Sequence, residues 1–103
     1  MGETVAGFDW DEGNRGKCEK HGVTQEEIES VFRGGGIRVY PDPAHSAVET
    51  RYLGVGRTTS GRYVLVAFTY REIEKQRYIR PISCRFMHAK EIRHYEKQNE
   101  DPR

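Results

Sequence analysis

Thr58-Thr59-Ser60-Gly61, followed by Arg62-Tyr63-Val64-Leu65-Val66-Ala67-Phe68-Thr69-Tyr70, is the stretch that decides the fold. The first four residues are turn chemistry, because hydroxyls and glycine support tight reversals. The run from Val64 to Phe68 is apolar on both faces of an extended chain, which marks a central strand. Before the turn, Val48 to Val55 alternates at period two, with Val48, Thr50 and Tyr52 on one face and Glu49, Arg51 and Leu53 on the other. The two runs therefore predict a hairpin. Beyond Tyr70, the charged residues Arg71 to Lys75 predict a second turn, and Gln76 to Arg85 a last strand. Pro81 has no N–H to give a ladder, so that strand is an edge at this point or carries a bulge. Side-chain parity past Pro81 is then open, and with it which of Arg80 and Arg85 shares a face with Glu49 and Arg51.

Further out, the period changes. Val5 to Trp10 reads as a short opening strand, with Phe8 and Trp10 as core anchors alternating with Asp9 and Asp11. Base stacking is the other role open to those two rings. Asp11 is a good N-cap, although Gly13 and Gly16 each lower the propensity of the helix behind it by about 1 kcal/mol relative to alanine. Gly22 stands where a helix C-terminus calls for a left-handed residue. Thr24 and Glu27 form a capping box, with Val23 and Ile28 spaced as a hydrophobic staple. Ile28, Val31 and Phe32 repeat at helical spacing until Gly34-Gly35-Gly36 ends the helix. Ile37 to Tyr40 is a strand stopped by Pro41 and Pro43, and His88 to Gln98 a closing helix with Ile92 and Tyr95 inward. The expectation is an α+β domain over residues 1–103: an antiparallel sheet, two N-terminal helices and a closing C-terminal helix, with residues 1–4 and 99–103 frayed.

Composition narrows the function classes. A chain of 103 residues buries roughly 60–70% of its unfolded surface, and 35% hydrophobic against 32% charged residues implies a thin core. No apolar run is long enough to span a bilayer and no charged-then-apolar leader opens the chain, so a cytoplasmic protein is expected. Cys18 and Cys84 make no CxxC and read as free thiols. The net charge of +1 conceals an asymmetry. Residues 1–36 carry four basic and eight acidic groups, and the remainder thirteen basic and eight acidic. Arginines in the later strands suit phosphate, whose geometry the guanidinium fork matches. The plainer reading is a solvated sheet with scattered cations.

No P-loop, HExxH or Ser/His/Asp order is present, and His21, His45, His88 and His94 lack metal-ligand spacing, so neither a metal nor a cofactor is expected. A reaction whose substrate brings its own nucleophile needs none from the protein. It needs a base, an acid and cations. His21, behind Lys20, reads either as a cap at a helix C-terminus or as an acid–base group, for which imidazole titrates at a suitable pH. Glu49 and Arg51 read as a same-face ion pair or as a carboxylate beside a phosphate-holding guanidinium. Arg80, Ser83 and Arg85 come from the last strand, where a bulge at Pro81 would re-aim them.

Phe8-Asp9-Trp10-Asp11, then Lys20-His21-Gly22-Val23, Glu49-Thr50-Arg51-Tyr52, Gly56 to Gly61-Arg62, and Arg80-Pro81-Ile82-Ser83-Cys84-Arg85 with Glu91 and Tyr95 occur here in one order. In that order they resemble the BrnT family, ribonuclease toxins of a type II toxin–antitoxin system, from about Phe8 to Glu96. The resemblance implies a RelE-like toxin fold and metal-independent endoribonuclease activity that inhibits translation. It implies catalytic roles for His21, Glu49, Arg51 and Arg80, and substrate contacts from Lys20, Arg62, Ser83 and Arg85. It further implies a BrnA-type ribbon-helix-helix antitoxin, with operator DNA bound only through the complex. Family members often carry asparagine at the position of Cys18 and alanine at that of Cys84, and neither change removes a charge. The alternative is a non-catalytic RNA- or protein-binding module on the same fold.

Overall fold

The computed structural model describes residues 5–45 and 47–99. The elements are β1 (Gly7–Phe8), α1 (Glu12–Glu19), α2 (Gln25–Arg33), β2 (Arg38–Pro41), β3 (Tyr52–Arg57), β4 (Tyr63–Ile73), β5 (Gln76–Phe86) and α3 (Ala89–Gln98), with a single 3-10 turn at Pro43–His45. The sheet order is β1-β5-β4-β3-β2. The α+β class and the central position of the Val64–Phe68 run are as the sequence implies. The sheet is mixed, however, because β1 pairs parallel with β5 while all other pairs are antiparallel.

Both N-terminal helices start at capping boxes. Asp11 accepts from the Asn14 backbone N–H and Asn14 Oδ1 accepts in return from Asp11 N–H, while Thr24 and Glu27 make the same exchange. Gly22 takes a φ of +90° at the end of α1, the left-handed conformation that glycine reaches without a Cβ clash. The stapled pair Val23 and Ile28 is fully buried. α1 and α2 cover the sheet face built from Gly56, Val64 and Phe86, Gly54, Val66 and Cys84, and Tyr52, Phe68 and Pro81. Two close approaches depend on missing side chains: a Cβ on Gly56 would stand 2.7 Å from Val31 Cγ1, and one on Gly54 2.7 Å from Ile37 Cδ1. Phe68 is the largest buried side chain, with the Phe32 ring at 5.0 Å and those of Tyr52 and Tyr70 at 5.6 Å.

Three boundaries differ from the sequence reading. The opening strand is only Gly7–Phe8, since Trp10 leaves the ladder to donate from Nε1 to Glu29 Oε2 at 2.8 Å. The expected strand from Val48 begins instead at Tyr52, which pairs with Pro41, the last residue of β2. Residues 47–49 form bends, Val48 is 98% exposed, and the buried Thr69 hydroxyl takes the Thr50 carbonyl at 2.6 Å. The Arg71–Lys75 turn contracts to Glu74-Lys75, both at positive φ, because β4 and β5 stay paired as far as Ile73 and Gln76. That geometry is the two-residue hairpin matching strand twist, adopted here without glycine. α3 ends at an Asn99 cap, whose N–H and Nδ2 both donate to the Tyr95 carbonyl. Residues 1–4 and 100–103 of the expected frayed ends lie outside the described residues.

The second face of the sheet is open over most of its length. Register places Tyr40, Leu53, Ala67 and Ser83 in one row, Arg38, Val55, Leu65 and Arg85 in the next, and Arg57 with Tyr63 beyond them. α3 crosses only this last end: Tyr95 meets Tyr63 edge-on at 5.7 Å and Glu91 pairs with Arg85. Ile92 and Tyr95 face inward but are only half-buried.

Candidate active site

A bulge sets the site. Ala67 pairs with Ser83 and Phe68 with Pro81, so Ile82 has no partner and the register shifts between them. β1 has already ended at Phe8, opposite Ile79, so β5 is also an edge at Pro81. Both devices allowed for a strand proline are therefore in use. The freed Pro81 carbonyl accepts from the buried Asn14 Nδ2 at 2.8 Å, and the same amide donates to the Asp9 carbonyl. The extra residue inverts parity. Without it, Arg80 would point with Cys84 into the core; with it, Arg80, Ser83 and Arg85 all face the open side.

There Arg80 meets the segment before β3. Glu49, Arg51, Arg71, Arg80 and Lys17 line one cleft of about 230 Å³, floored by Ile82 and Asn14. Arg71 Nη2 lies 3.4 Å from Glu49 Oε1, so Arg71 is an ion-pair partner of that carboxylate from the neighbouring strand. The Arg80 fork is held from behind, Nη1 at 3.2 Å from Asp9 Oδ2 and Nη2 at 2.9 Å from Asp11 Oδ2. The Asn14 backbone N–H first, and then the Arg80 guanidinium, keep the Asp11 carboxyl below its usual range. Four cations and one carboxylate in a shallow cleft make an anion site with a proton acceptor at its wall. Among the described residues no group of three or more His, Cys, Asp or Glu could hold a metal ion.

The family model for BrnT, the ribonuclease toxin of a type II toxin–antitoxin system, matches residues 10–91. The chain belongs to the BrnT family. It has the RelE-like fold of that family and is a ribonuclease toxin, for which a cognate antitoxin and an RNA substrate follow. No curated protein matches the chain. No described helix is long and apolar enough to cross a membrane.

The other residues singled out from the BrnT resemblance fall in different places. His21, Ser83 and Arg85 line a smaller groove of about 120 Å³ with Leu53, Leu65 and Ala67, abutting the cation cleft along β5. His21 is exposed, one residue past the Lys20 cap of α1, and makes no hydrogen bond among the described residues. Lys20 is exposed on the same turn. Arg62 stands apart, at the far end of β4, with its guanidinium carbon 3.6 Å from the centre of the Phe86 ring. Arg71 and Lys17 are not legible in the sequence as site residues: the first falls in a charged stretch that predicts a turn, and the second is one lysine on an exposed helix face. Asp9 and Asp11 read as strand alternation and cap, and nothing near them in the chain signals that they hold Arg80. Cys18 and Cys84 are buried free thiols, raised by burial to about 11 and about 12, and so chemically quiet.

Arg85 is committed to a bidentate pair with Glu91, at 2.8 and 2.7 Å, and Glu91 Oε1 also accepts from the His88 N–H. The Arg85 bond, then the His88 N–H, lower the Glu91 carboxyl from 4.5 to about 2. A depressed carboxyl stabilises the fold above its unfolded value and loses that contribution as pH falls towards the folded one. The clamp of α3 onto β5 therefore operates at neutral pH and releases between about 4.5 and about 2. Thermal melts across that range should show a steeper acid decline for the natural chain than for Glu91→Gln.

Proposed function

We propose that this BrnT chain is a metal-independent endoribonuclease that cuts RNA at a phosphate held in the cation cleft and so inhibits translation in the cytoplasm. A BrnA-type ribbon-helix-helix antitoxin neutralises it by covering that cleft, and operator DNA is bound only through the complex. The observation that carries the reading is the bulge at Pro81–Ile82, which spends a ladder position to bring Arg80 out beside Glu49, Arg51, Arg71 and Lys17.

The reaction uses what these side chains supply. The substrate's 2′-oxygen attacks phosphorus, the bond to the 5′-oxygen breaks, and the products are a 2′,3′-cyclic phosphate and a 5′-hydroxyl end. The arginines neutralise charge growing on the non-bridging oxygens, where fixed donors act most strongly. Glu49, at the cleft wall, and His21, in the adjoining groove beside Ser83, are the two proton-handling groups. One accepts the 2′-hydroxyl proton and the other protonates the leaving oxygen. Lys20, Ser83, Arg62 and Arg85 contact the flanking strand, Arg85 only by exchanging Glu91 for a phosphate.

Purified, antitoxin-free chain is expected to cleave RNA in excess EDTA and leave cyclic phosphate ends. Intact RNA, or cleavage only on addition of a divalent metal, would overturn the proposal. In the pH profile, Glu49→Gln and His21→Gln should each remove one limb, which assigns base and acid.

A further inference from the structure

The described residues also form a cavity larger than the cation cleft. A groove of about 630 Å³ lies where the α2 terminus, the start of β2 and the end of β3 meet α3, and Arg38, Arg57, Tyr63, Tyr95, Gly36 and Asn99 are among its walls. We infer that this groove is a second RNA subsite, which stacks a base on Tyr95 or Tyr63 and holds a neighbouring phosphate on Arg38, gripping the strand away from the cut.

Four observations support it. The wall combines aromatic faces with guanidinium groups, the pairing by which single-stranded nucleic acid is held without reading its sequence. The one carboxylate beside them, Glu96, is taken up by Arg57 at 3.6 Å, which leaves Arg38 as the phosphate contact. Arg57 lies 4.6 Å over the Tyr63 ring and Tyr63 meets Tyr95 at 5.7 Å, so the rings are already ordered. Arg38 is exposed on the edge strand and has no ion-pair partner among the described residues, whereas Arg80 and Arg85 are both neutralised by carboxylates. Register also joins the two ends: Arg38 shares a row with Arg85, and Arg57 with Tyr63, on the face that carries Ser83. From the Thr69–Arg80 row to the Arg57–Tyr63 row is six residues of β4, about 20 Å at about 3.3 Å per residue, a span for several nucleotides of one extended strand. The intervening rows are apolar at their centre, with Leu53, Val55, Leu65 and Ala67, and end in the cations Arg38 and Arg85.

The inference rests on the RNA-cutting reading, so its test measures binding and not cleavage. A 2′-O-methyl oligonucleotide of about twelve residues and a matching dinucleotide are titrated into the natural chain, Arg38→Ala and Tyr95→Ala. The long ligand reaches both sites and the dinucleotide only the cleft. Arg38→Ala should weaken the long ligand alone, and the salt slope should fall by about 0.7, the loss of one phosphate contact on a single strand. Tyr95→Ala should weaken it about 5- to 150-fold, the range for one base–aromatic stack. Because Tyr95 also helps dock α3, Arg38→Ala, whose side chain is exposed and outside the core, keeps the test independent of folding. Equal affinity of Arg38→Ala and the natural chain for the long ligand overturns the inference. So does a loss seen only in antitoxin binding, which would make the groove a protein-docking surface. A chain that fails to cleave but shows the length-dependent loss would refute the catalytic proposal and retain this one.

Discussion

Arg80→Ala is expected to slow RNA cleavage by about 10²- to 10³-fold, the usual result of removing one donor to transition-state charge. The argument starts from the backbone. A proline and an unpaired isoleucine turn Arg80 out of the core, and two carboxylates, Asp9 and Asp11, fix its fork from behind. A fork so held costs little further ordering when phosphate arrives, and a lysine there would keep the charge while losing the two-point geometry. The loss should appear in kcat more than in KM, since Arg51, Arg71 and Lys17 remain to bind the phosphate. The fold should persist: the Arg80 side chain is 18% exposed and its acidic partners are 24% and 55% exposed, so no charge is stranded in the core. Cleavage at the natural rate by a folded Arg80→Ala protein would sink the site assignment while leaving the family membership untouched.

Phe68→Ala should do the reverse, costing about 3–5 kcal/mol of stability through a core cavity. Phe68 has no exposed surface, and three other rings pack on it: Phe32 from α2, Tyr52 from β3 and Tyr70 from its own strand. It is thus the joint between helix layer and sheet. Stability of small domains is about 5–15 kcal/mol in all, so the variant should unfold at much lower denaturant with little change in slope. Molecules that remain folded should cleave normally, because Phe68 faces away from the cleft. A fall in activity beyond the unfolded fraction would show that the two faces of β4 are not independent.

Much of the fold was legible because it is written in local rules. Capping boxes at Asp11 and Thr24, the left-handed Gly22, the buried staple of Val23 and Ile28, and the two-faced apolar run of β4 each concern residues a few positions apart. The bulge was half legible: Pro81 announced that the ladder must break, but not in which direction the side chains beyond it would turn. The misreadings fell where distant partners decided the outcome. Val48 to Arg51 alternates like a strand, yet β2 stops at Pro41, and the Thr69 hydroxyl takes a carbonyl that a ladder would otherwise have used. Arg71 to Ile73 reads as a charged turn, but pairing with Gln76 to Tyr78 holds it extended.

The sequence by itself therefore determined the order of elements, the identity of the core strand and the residue types from which an anion site is made, since these follow from periodicity, capping and charge near in the chain. Only the tertiary structure decided which cations meet. Arg71 reached Glu49, Asp9 and Asp11 took Arg80, Glu91 took Arg85, and Arg38 was left at the rim of a groove. The physical reason is that charge pairing is set by separation in space, and one unpaired residue at Ile82 inverts the face of everything on one side of it. No spacing within a single strand carries that information.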